Sequence, residues 1–306
     1  MSSPDLARVT SALRAALGDR LRRDLPLAPL TTFRIGGPAA LYLEPGSEAD
    51  LAEVSRAIVG TAVPVMILGK GSNVLVADAG FPGLVLRLGR SYRWSARDGE
   101  LLTAGAAMPL PALSGVALRH ELSGLEFGVA IPATVGGAVR MNAGAHDHEM
   151  SEVVESVELF RLGEGRGVWV PAAEAGFAYR RTSLGDDAVV TATRIRLEPA
   201  AGSAIRSEMD AAREWRRATQ PLAEPNCGSV FTNPPGDHAA RLIEEAGAKG
   251  RRVGGAWVSP KHANFIVAGP DARASDVVAL IEEVRAMVAA SAGVALDTEV
   301  RMVGAF

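Results

Sequence analysis

The stretch IPATVGGAVRMNAGA, residues 131–145, constrains the fold of this chain more than any other, because small side chains fill almost all of it. It contains the glycines Gly136, Gly137 and Gly144. Glycine loses more conformational entropy on folding than other residues, so such a run needs a physical reason. Either the backbone turns sharply there, or a large group approaches it closely. A second stretch, LGKGSN at 68–73, has the same character.

Composition and charge exclude several classes of protein. The chain has 306 residues, 48% of them hydrophobic, and a net charge of −3, so it can form real cores but lacks the basic excess needed to bind a polyanion. Cys227 is the only cysteine; we interpret it as a packing residue, and it leaves no disulfide framework. No apolar run reaches the roughly 20 residues of a membrane-spanning helix, and the N-terminal segment lacks a signal-peptide core. We expect a cytoplasmic protein without a nucleic-acid partner, a membrane span or a bound metal.

Hydrophobic periodicity predicts a mixture of helices and strands. One helix opens the chain and a longer one fills 275–293, each with an apolar stripe and a glycine at its end. Glycine turns separate many short strands between them. The alternation of Thr191 and Thr193 with Ala192 and Arg194 predicts a half-buried strand. The order is an α/β start to about residue 85, a strand-rich region to about 200, and a final α+β part.

The two small-residue stretches have the composition of a ligand cradle. Successive backbone N–H groups in such loops form a positive concavity, and no Cβ blocks the approach of a pyrophosphate. Neither loop has the G-x-G-x-x-G or the Walker A pattern, so neither identifies its ligand by motif. The alternative is that both are turns between strands. On these grounds alone the loops predict a dinucleotide-like cofactor without naming it.

Seven motifs in a fixed order carry a more specific signal. From about residue 30 to the C-terminus they read TTFRIGGPA, LGKGSNVLVADAGFPG, GLEFGVAIPATVGGAVRMNAGA, FAYRRTS, PNCGSVFTNP, AGAKGRRVGGAWVSPKHANFIV and EVRMVG. In these motifs the chain resembles the UDP-N-acetylenolpyruvoylglucosamine reductases, the FAD-dependent MurB family of peptidoglycan precursor synthesis. No inserted loop is found between 184 and 200, so the chain is similar to the shorter, type II members.

The resemblance implies an α+β fold, with a two-lobed FAD-binding domain of the vanillyl-alcohol-oxidase type and a C-terminal α+β substrate domain. The expected parts are an α/β lobe at 1–85, a strand-rich lobe at 86–200 and a substrate domain at 201–306, whose last strand returns Glu299 to the flavin. It also implies non-covalent FAD held by the two small-residue loops. The candidate cofactor residues are Gly69, Lys70, Gly71, Ser72, Asn73, Ile131, Thr134, Gly136, Gly137 and Asn142.

The implied reaction is the NADPH-driven reduction of UDP-N-acetylglucosamine enolpyruvate to UDP-N-acetylmuramate in cell-wall formation. Arg180, in FAYRRTS, matches the family arginine expected to stabilise the enolic intermediate. Ser229, in CGSVF, matches the family proton donor to C2, while the hydride goes to C3. Glu299, in DTEVRMVG, matches the carboxylate that works with Arg180 or orients the serine or a water. The expected partners are NADPH and the UDP-sugar enolpyruvate, and the expected state is a monomer.

Further positions follow the family pattern or depart from it. Tyr179, Arg217 and Asn233 are the candidate substrate contacts. The departures are Ala133 and Asp147, where glycine is usual, and Thr219 and Thr232, where lysine is usual.

Two other functions compete with this one. The first is an FAD oxidase of the same fold acting on a small alcohol or phenol, and many such oxidases attach FAD through a histidine. It would lack the set of Ser229, Arg180 and Glu299. The second is a catalytically silent nucleotide-binding protein on an inherited flavin scaffold.

Overall fold

The computed structural model describes residues 4–306, and the chain divides into two compact units that interleave along the sequence. The first unit consists of the residues up to Arg23, Leu41–Lys70 and Gly83–Glu214. The second consists of Asp24–Ala40, Gly71–Pro82 and Trp215–Phe306. The junction at Gly83 lies near the border expected at about residue 85, whereas the border expected near 200 has no counterpart among these junctions. The division into three lobes stays a prediction.

Seven α-helices lie in residues 4–306. They are α1 (Pro4–Leu17), α2 (Glu48–Ile58), α3 (Leu110–Arg119), α4 (Val135–Arg140), α5 (Gly202–Thr219), α6 (Ala239–Glu245) and α7 (Ala274–Ala292). The helices predicted at the two ends of the chain are confirmed. α1 buries Leu13 and Leu17 and ends before Gly18, which has a φ of 60°. α7 ends at Gly293, with a φ of 68°, because glycine adopts this left-handed conformation without steric cost.

Residues 4–306 also contain many short β-strands, as predicted. They are β1 (Arg22–Pro26), β2 (Pro38–Leu43), β3 (Val65–Ile67), β4 (Val74–Val76), β5 (Phe81–Leu86), β6 (Ser95–Asp98), β7 (Leu101–Gly105), β8 (Leu122–Ser123), β9 (Gly144–Ala145), β10 (His148–Glu149), β11 (Val154–Arg161), β12 (Arg166–Pro171), β13 (Ala188–Arg196), β14 (Glu198–Pro199), β15 (Arg252–Val253), β16 (Ala256–Val258), β17 (Ile266–Ala268) and β18 (Arg301–Val303). The α/β start contains β2, α2, β3 and β5, and β3 pairs with β5 in parallel.

The largest sheet lies in the first unit and has five antiparallel strands in the order β12-β11-β13-β7-β6. Apolar residues of α3 and α4 pack on one face, whereas Phe160 and Val189 on the other face join the core of α1 and α2. The predicted alternation of β13 is confirmed in its second half, where Thr193 and Ile195 are buried and Arg194 and Arg196 are exposed. The first half, from Ala188 to Ala192, is buried throughout, because the sheet is covered on both faces there.

The second unit has its hydrophobic core around α7. The apolar stripe predicted for this helix is buried and consists of Val277, Leu280, Ile281, Val284 and Val288. β15, β16 and β17 form an antiparallel sheet in this order. The carboxylate of Asp78 accepts the N–H groups of Ala274 and Ser275 at 2.7 and 3.1 Å, so a distant residue caps the first turn of α7.

The last strand, β18, pairs in parallel with β4, which directly follows the LGKGSN loop. Arg301 is in register with Val74, and its N–H donates to the carbonyl of Asn73 at 3.1 Å. The Nδ2 of Asn73 donates in turn to the backbone carbonyl of Glu299 at 3.1 Å. The position of Glu299 therefore depends on the conformation of the loop.

The segment that carries Ser229 is held by Asn264, which is 4% exposed. The Oδ1 of Asn264 accepts the N–H of Phe231 at 2.9 Å, and its Nδ2 donates to the carbonyl of Phe231 at 2.8 Å. The backbone carbonyl of Asn264 also accepts the N–H of Val230 at 2.9 Å. This side-chain amide therefore satisfies the backbone of Phe231 as a neighbouring β-strand would.

Arg20, three residues after the end of α1, forms an ion pair with Asp50 in the first turn of α2. The guanidinium donates to both carboxylate oxygens, at 2.6 and 2.8 Å, and the N–H of Gly46 donates to Oδ2 at 2.7 Å. Asp50 is only 7% exposed, whereas half of the Arg20 side chain is exposed. Hydrogen bonding by Arg20 is the main reason that the pKa of Asp50 lies below its ordinary value.

Replacement of Arg20 by glutamine should lower the free energy of unfolding by about 1 to 2 kcal/mol at neutral pH, because the buried carboxylate of Asp50 loses its positively charged partner. The loss stays this small because solvent already screens the half-exposed arginine. A lowered pKa in the folded state stabilises the protein above the unfolded pKa, and this contribution is lost as the pH falls. The difference between the two proteins should therefore shrink below about pH 4. Urea unfolding at several pH values measures this difference in stability. The control is Arg14→Gln, which removes an exposed ion pair with Asp19 and should change the free energy of unfolding very little.

Asn264→Leu should lower the free energy of unfolding by about 2 to 4 kcal/mol, because it leaves both the N–H and the carbonyl of Phe231 buried without partners. The matched control is Thr232→Val, which removes a hydroxyl that donates to the Asp297 carbonyl at 3.3 Å, and it should cost well under half as much. Urea unfolding of both variants measures this. Equal costs would contradict the special role of the Asn264 amide.

Candidate active site

The two small-residue stretches meet in the first unit. A Cβ added to Gly69 would stand 2.8 Å from the Oγ1 of Thr134 and 3.9 Å from the Cα of Gly137. Thr134 Oγ1 also accepts the N–H of Gly137 at 3.3 Å. All three residues are half-buried, so a part of their surface stays open. Three of the candidate cofactor residues therefore form one continuous small-residue surface.

Two other candidate glycines are required by the protein itself. Gly136 donates its N–H to the carbonyl of Ala106 at 2.9 Å, and a Cβ there would stand 2.9 Å from the Cβ of Ala106. Gly71 has a φ of 69°, and a Cβ on it would collide with the Leu30 carbonyl and stand 2.9 Å from the Cα of Thr31. Neither position tolerates a side chain, with or without a ligand. The assignment of both glycines to cofactor binding stays a prediction.

Asn73, in the second unit, offers a hydrogen-bond acceptor to a ligand. Its Oδ1 is buried and receives no hydrogen bond from residues 4–306, although its Nδ2 is used by the carbonyl of Glu299. Buried acceptors without a donor are rare, and this one fits a hydroxyl or N–H group of the predicted cofactor. Lys70 is exposed, and Ser72 and Ile131 are half-buried, so each is accessible within its own unit.

Arg180 lies at the tip of a two-residue turn in the first unit. Ala178 and Arg181 exchange backbone hydrogen bonds of 3.0 and 3.1 Å, which leaves Tyr179 and Arg180 at the tip. Arg180 has a φ of 56°, in the left-handed region that residues with a side chain seldom adopt. Its guanidinium carbon lies 4.8 Å from the centre of the Tyr179 ring, and that tyrosine is 47% exposed. Such backbone strain at a charged, partly exposed residue is typical of functional sites.

The guanidinium of Arg180 also contacts the 131–145 stretch. Its Nη1 donates to the carbonyl of Asn142 at 3.4 Å and its Nη2 to the carbonyl of Gly144 at 3.1 Å. A Cβ on Gly144 would collide with the carbonyl of His148 and stand 2.8 Å from the Cβ of Glu149 and 3.0 Å from Nη1, so the neighbouring strand β10 and the arginine together explain this glycine. Asn142 is fully buried, and its role as a cofactor residue stays a prediction that these contacts do not support.

Ser229 and Glu299 belong to neighbouring segments of the second unit. Val230, the residue after Ser229, accepts the N–H of Glu299 at 2.8 Å. Both predicted catalytic side chains are half-buried, and the Ser229 hydroxyl has no hydrogen-bond partner within residues 4–306. Cys227 is 2% exposed, and burial, followed by the negative charge of Glu299, raises the pKa of its thiol. It therefore remains an inert thiol at neutral pH, as a packing residue does.

The remaining substrate candidates lie in the second unit. Arg217 is exposed near the end of α5, and its carbonyl accepts the Nζ of Lys261 at 2.6 Å. The Oδ1 of Asn233 accepts the N–H of Ala239 at 3.0 Å, and its Nδ2 lies 3.4 Å from the Nδ1 of His238. Asn233 thus caps the start of α6. Its contact with a substrate, like that of Tyr179 and Arg217, stays a prediction.

Backbone geometry shows what the departures from the family pattern cost. Asp147 and His146 form the turn between β9 and β10 with φ values of 63° and 54°, a conformation that favours glycine. Ala133 does not have a positive φ, so its position does not require glycine. The hydroxyls of Thr219 and Thr232 donate to backbone carbonyls, where a lysine would bring a positive charge.

Asn264 is a structural support of the site that sequence reasoning missed. It lies in the SPKHANFIV motif, without an assigned role, and its partner Phe231 is 33 residues earlier. The one available signal was an amide inside an apolar, strand-like run. Such a polar group is normally hydrogen-bonded when it is buried, although the sequence does not say to which group.

Two classes of site have no support in the described part of the chain. Among residues 4–306, no group of three or more His, Cys, Asp or Glu side chains is arranged to hold a metal ion. None of the helices described there is long and apolar enough to cross a membrane.

Two family models match the chain. The model described as FAD binding domain matches residues 39–170, and the model described as UDP-N-acetylenolpyruvoylglucosamine reductase, C-terminal domain, matches residues 220–303. The UDP-N-acetylenolpyruvoylglucosamine reductase of Anaeromyxobacter sp. (strain Fw109-5) is 49% identical over 299 residues, which are 96% of this chain and 93% of the relative. The UDP-N-acetylenolpyruvoylglucosamine reductase 2 of Symbiobacterium thermophilum is 46% identical over 303 residues, which are 99% of this chain and 97% of that relative.

Solved structures agree with these matches. The crystal structure of the same reductase (MurB) from Thermus caldophilus has a TM-score of 0.80 and 37% identity, covering 93% of this chain and 99% of its own. The glucose dehydrogenase Phl p 4.0202, at 13% identity, has a TM-score of 0.51 over 76% of this chain and 53% of its own, which shows a shared fold alone. The predicted α+β class, an FAD-binding domain followed by a C-terminal domain, is confirmed. The chain therefore belongs to the family of UDP-N-acetylenolpyruvoylglucosamine reductases, FAD-binding oxidoreductases of peptidoglycan precursor synthesis.

Proposed function

We propose that this protein reduces UDP-N-acetylglucosamine enolpyruvate to UDP-N-acetylmuramate with NADPH as the electron donor. Membership of the family and the FAD-binding domain give the cofactor, and relatives at 46% to 49% identity supply the substrate class through their names. One structural observation carries the assignment of residues. The N–H of Glu299 donates to the Val230 carbonyl at 2.8 Å, which fixes the proposed carboxylate beside the segment of the proposed proton donor, Ser229.

Each unit, taken by itself, has groups suited to contact FAD without a covalent bond. The small-residue surface of Gly69, Thr134 and Gly137 leaves backbone open to a large planar or phosphorylated group. The buried Oδ1 of Asn73 can accept a hydrogen bond from the cofactor. The chemistry that FAD supplies when bound is the relay of a hydride, two electrons with one proton, from NADPH to C3 of the enolpyruvyl group.

Arg180 would stabilise the negative charge that develops at C2 and its carboxylate. A guanidinium stays positively charged at all physiological pH values and offers parallel N–H groups to a carboxylate. The carbonyls of Asn142 and Gly144 accept two of its N–H groups and orient it. Tyr179 would contact the substrate beside it; its ring packs against the guanidinium and the residue is 47% exposed, which supports this role.

Ser229 would donate the proton that completes the reduction at C2. A serine hydroxyl is a weak acid, but the carbanion-like carbon is far more basic than any resting side chain, and a fixed position supplies the rest of the advantage. C3 gains a hydride and C2 a proton, the double bond is reduced, NADPH is oxidised, and solvent returns the proton to the serine. Glu299 would orient the serine or a water and share the proton chemistry with Arg180.

The first test is a visible absorption spectrum of the purified protein under anaerobic conditions. We expect a flavin spectrum that bleaches with one equivalent of NADPH and returns when UDP-N-acetylglucosamine enolpyruvate is added. A flavin that returns only with oxygen would favour the oxidase, as would yellow colour that stays with acid-precipitated protein. Protein that binds no added FAD would overturn the cofactor assignment. The same purified protein should elute as a monomer from a sizing column. In the cell we expect it in the cytoplasm, where NADPH is available.

Ser229→Ala should slow the reoxidation of reduced flavin by the enolpyruvyl substrate by about 10²- to 10⁴-fold, because the proton donor is lost. The reduction of flavin by NADPH should be unchanged, since no proton from Ser229 is needed there. Stopped-flow absorbance separates the two half-reactions.

The companion variant is Ser229→Cys, which keeps a proton donor at this position and should retain more of the second half-reaction than Ser229→Ala. An equal loss of both half-reactions in Ser229→Ala would contradict the role of the serine as proton donor.

A further inference from the structure

Asn142 is the most constrained residue of the 131–145 stretch. It is fully buried, and its φ of 41° puts the backbone in the left-handed region. Its Nδ2 donates to the carbonyl of Ala178 at 3.1 Å, and its Oδ1 accepts the N–H of Ser151 at 2.9 Å. The side chain is therefore engaged on both ends by the backbone of the first unit, and it presents no surface to a cofactor.

These contacts converge on the turn that carries Arg180. The Ala178 carbonyl that accepts the Asn142 amide also accepts the N–H of Arg181, which closes the turn. The backbone carbonyl of Asn142 accepts Nη1 of Arg180 at 3.4 Å, and that of Gly144 accepts Nη2 at 3.1 Å. Asn142 thus contacts the base of the turn with its side chain and the guanidinium with its backbone.

We propose that Asn142 is a positioning residue for Arg180. The proposal rests on the proposed function, in which Arg180 stabilises developing negative charge. A guanidinium that is oriented before the reaction needs no reorganisation when the charge forms, so its orientation contributes directly to rate. Asparagine tolerates the left-handed backbone, and this conformation lets the carbonyls of Asn142 and Gly144 both accept from the same guanidinium. Asn142 acts on the reaction through Arg180 and leaves FAD binding unaffected.

Asn142→Gly is the sharpest variant, because glycine adopts the positive φ and keeps the backbone carbonyl while the side-chain amide is removed. Asn142→Asp keeps an acceptor for Ser151 but replaces the donor to Ala178 with an oxygen. Asp147→Gly, in the nearby turn between β9 and β10, is the matched control. Glycine favours its φ of 63°, and the contacts of Arg180 with Asn142 and Gly144 do not include its side chain.

The two half-reactions give the first readout. In Asn142→Gly and Asn142→Asp, reoxidation of the reduced flavin by the enolpyruvyl substrate should slow by about 10- to 100-fold, as expected for a misplaced catalytic group. FAD content and the rate of flavin reduction by NADPH should match the unsubstituted protein, as should all rates of Asp147→Gly. On an Arg180→Ala background, Asn142→Gly should have no further effect, because its action passes through the arginine.

Hydrogen exchange gives a second readout that does not depend on turnover. In Asn142→Gly, the amide of Arg181 should exchange about 10-fold faster, since the turn loses its supporting hydrogen bond. If the unsubstituted protein does not turn over the enolpyruvyl substrate but this exchange still increases, the proposed reaction is wrong and the support of the turn by Asn142 stands. Loss of FAD with an equal fall in both half-reactions, or an unchanged exchange rate at Arg181, would overturn the positioning role.

Discussion

The parallel pairing of the C-terminal strand with the strand after the LGKGSN loop is the constraint on which the chemistry of the second unit depends. It ties the carbonyl of Glu299 to the side chain of Asn73, 226 residues earlier in the chain. The N–H of Glu299 donates to Val230, and Asn264 satisfies the backbone of the next residue. The backbone segments that carry Glu299, Ser229 and the LGKGSN loop are thus held together by hydrogen bonds between distant parts of the chain. Two side-chain amides, those of Asn73 and Asn264, supply part of these bonds.

The small residues between 131 and 145 answer several physical demands at once. Gly136 allows the close packing of α4 against Ala106, and Gly144 allows the approach of β10 and of Arg180. Gly137 lies on the open surface next to Gly69, where a ligand can approach the backbone. The chain turns at Asn142, which has a φ of 41°, and the glycines allow close approaches at other positions, in part by groups of the same unit. A stretch rich in glycine should not be assigned to a ligand as a whole.

The sequence was sufficient wherever the signal is local. The stripe of α7 and the glycine after it, Gly293, lie within one stretch of chain, so a periodic pattern predicts both. The alternation of β13 also predicts its buried Thr193 and exposed Arg194, whereas the burial of Val189 and Val190 on opposite faces depends on helices from other parts of the sequence. The division into two units was equally hidden, because the chain alternates between them. The catalytic candidates came from the order of the motifs, whereas the pairing of Asn264 with Phe231 spans 33 positions and leaves no pattern.

The turn at 178–181 gives a physical reason, besides the motif match, to distinguish Arg180 from the next residue, Arg181. Arg181 closes the turn with its backbone, while Arg180 occupies the tip, in a left-handed conformation, with its side chain held by two carbonyls and a tyrosine ring. Such holding requires N–H donors spread over a plane, which a guanidinium has and a lysine ammonium, with its single nitrogen, does not. A lysine at this position would have to release the carbonyls of Asn142 and Gly144 in order to meet a carboxylate. An arginine can be oriented by the protein and bind a negative charge at the same time, and this double requirement selects its chemistry at the tip of the turn.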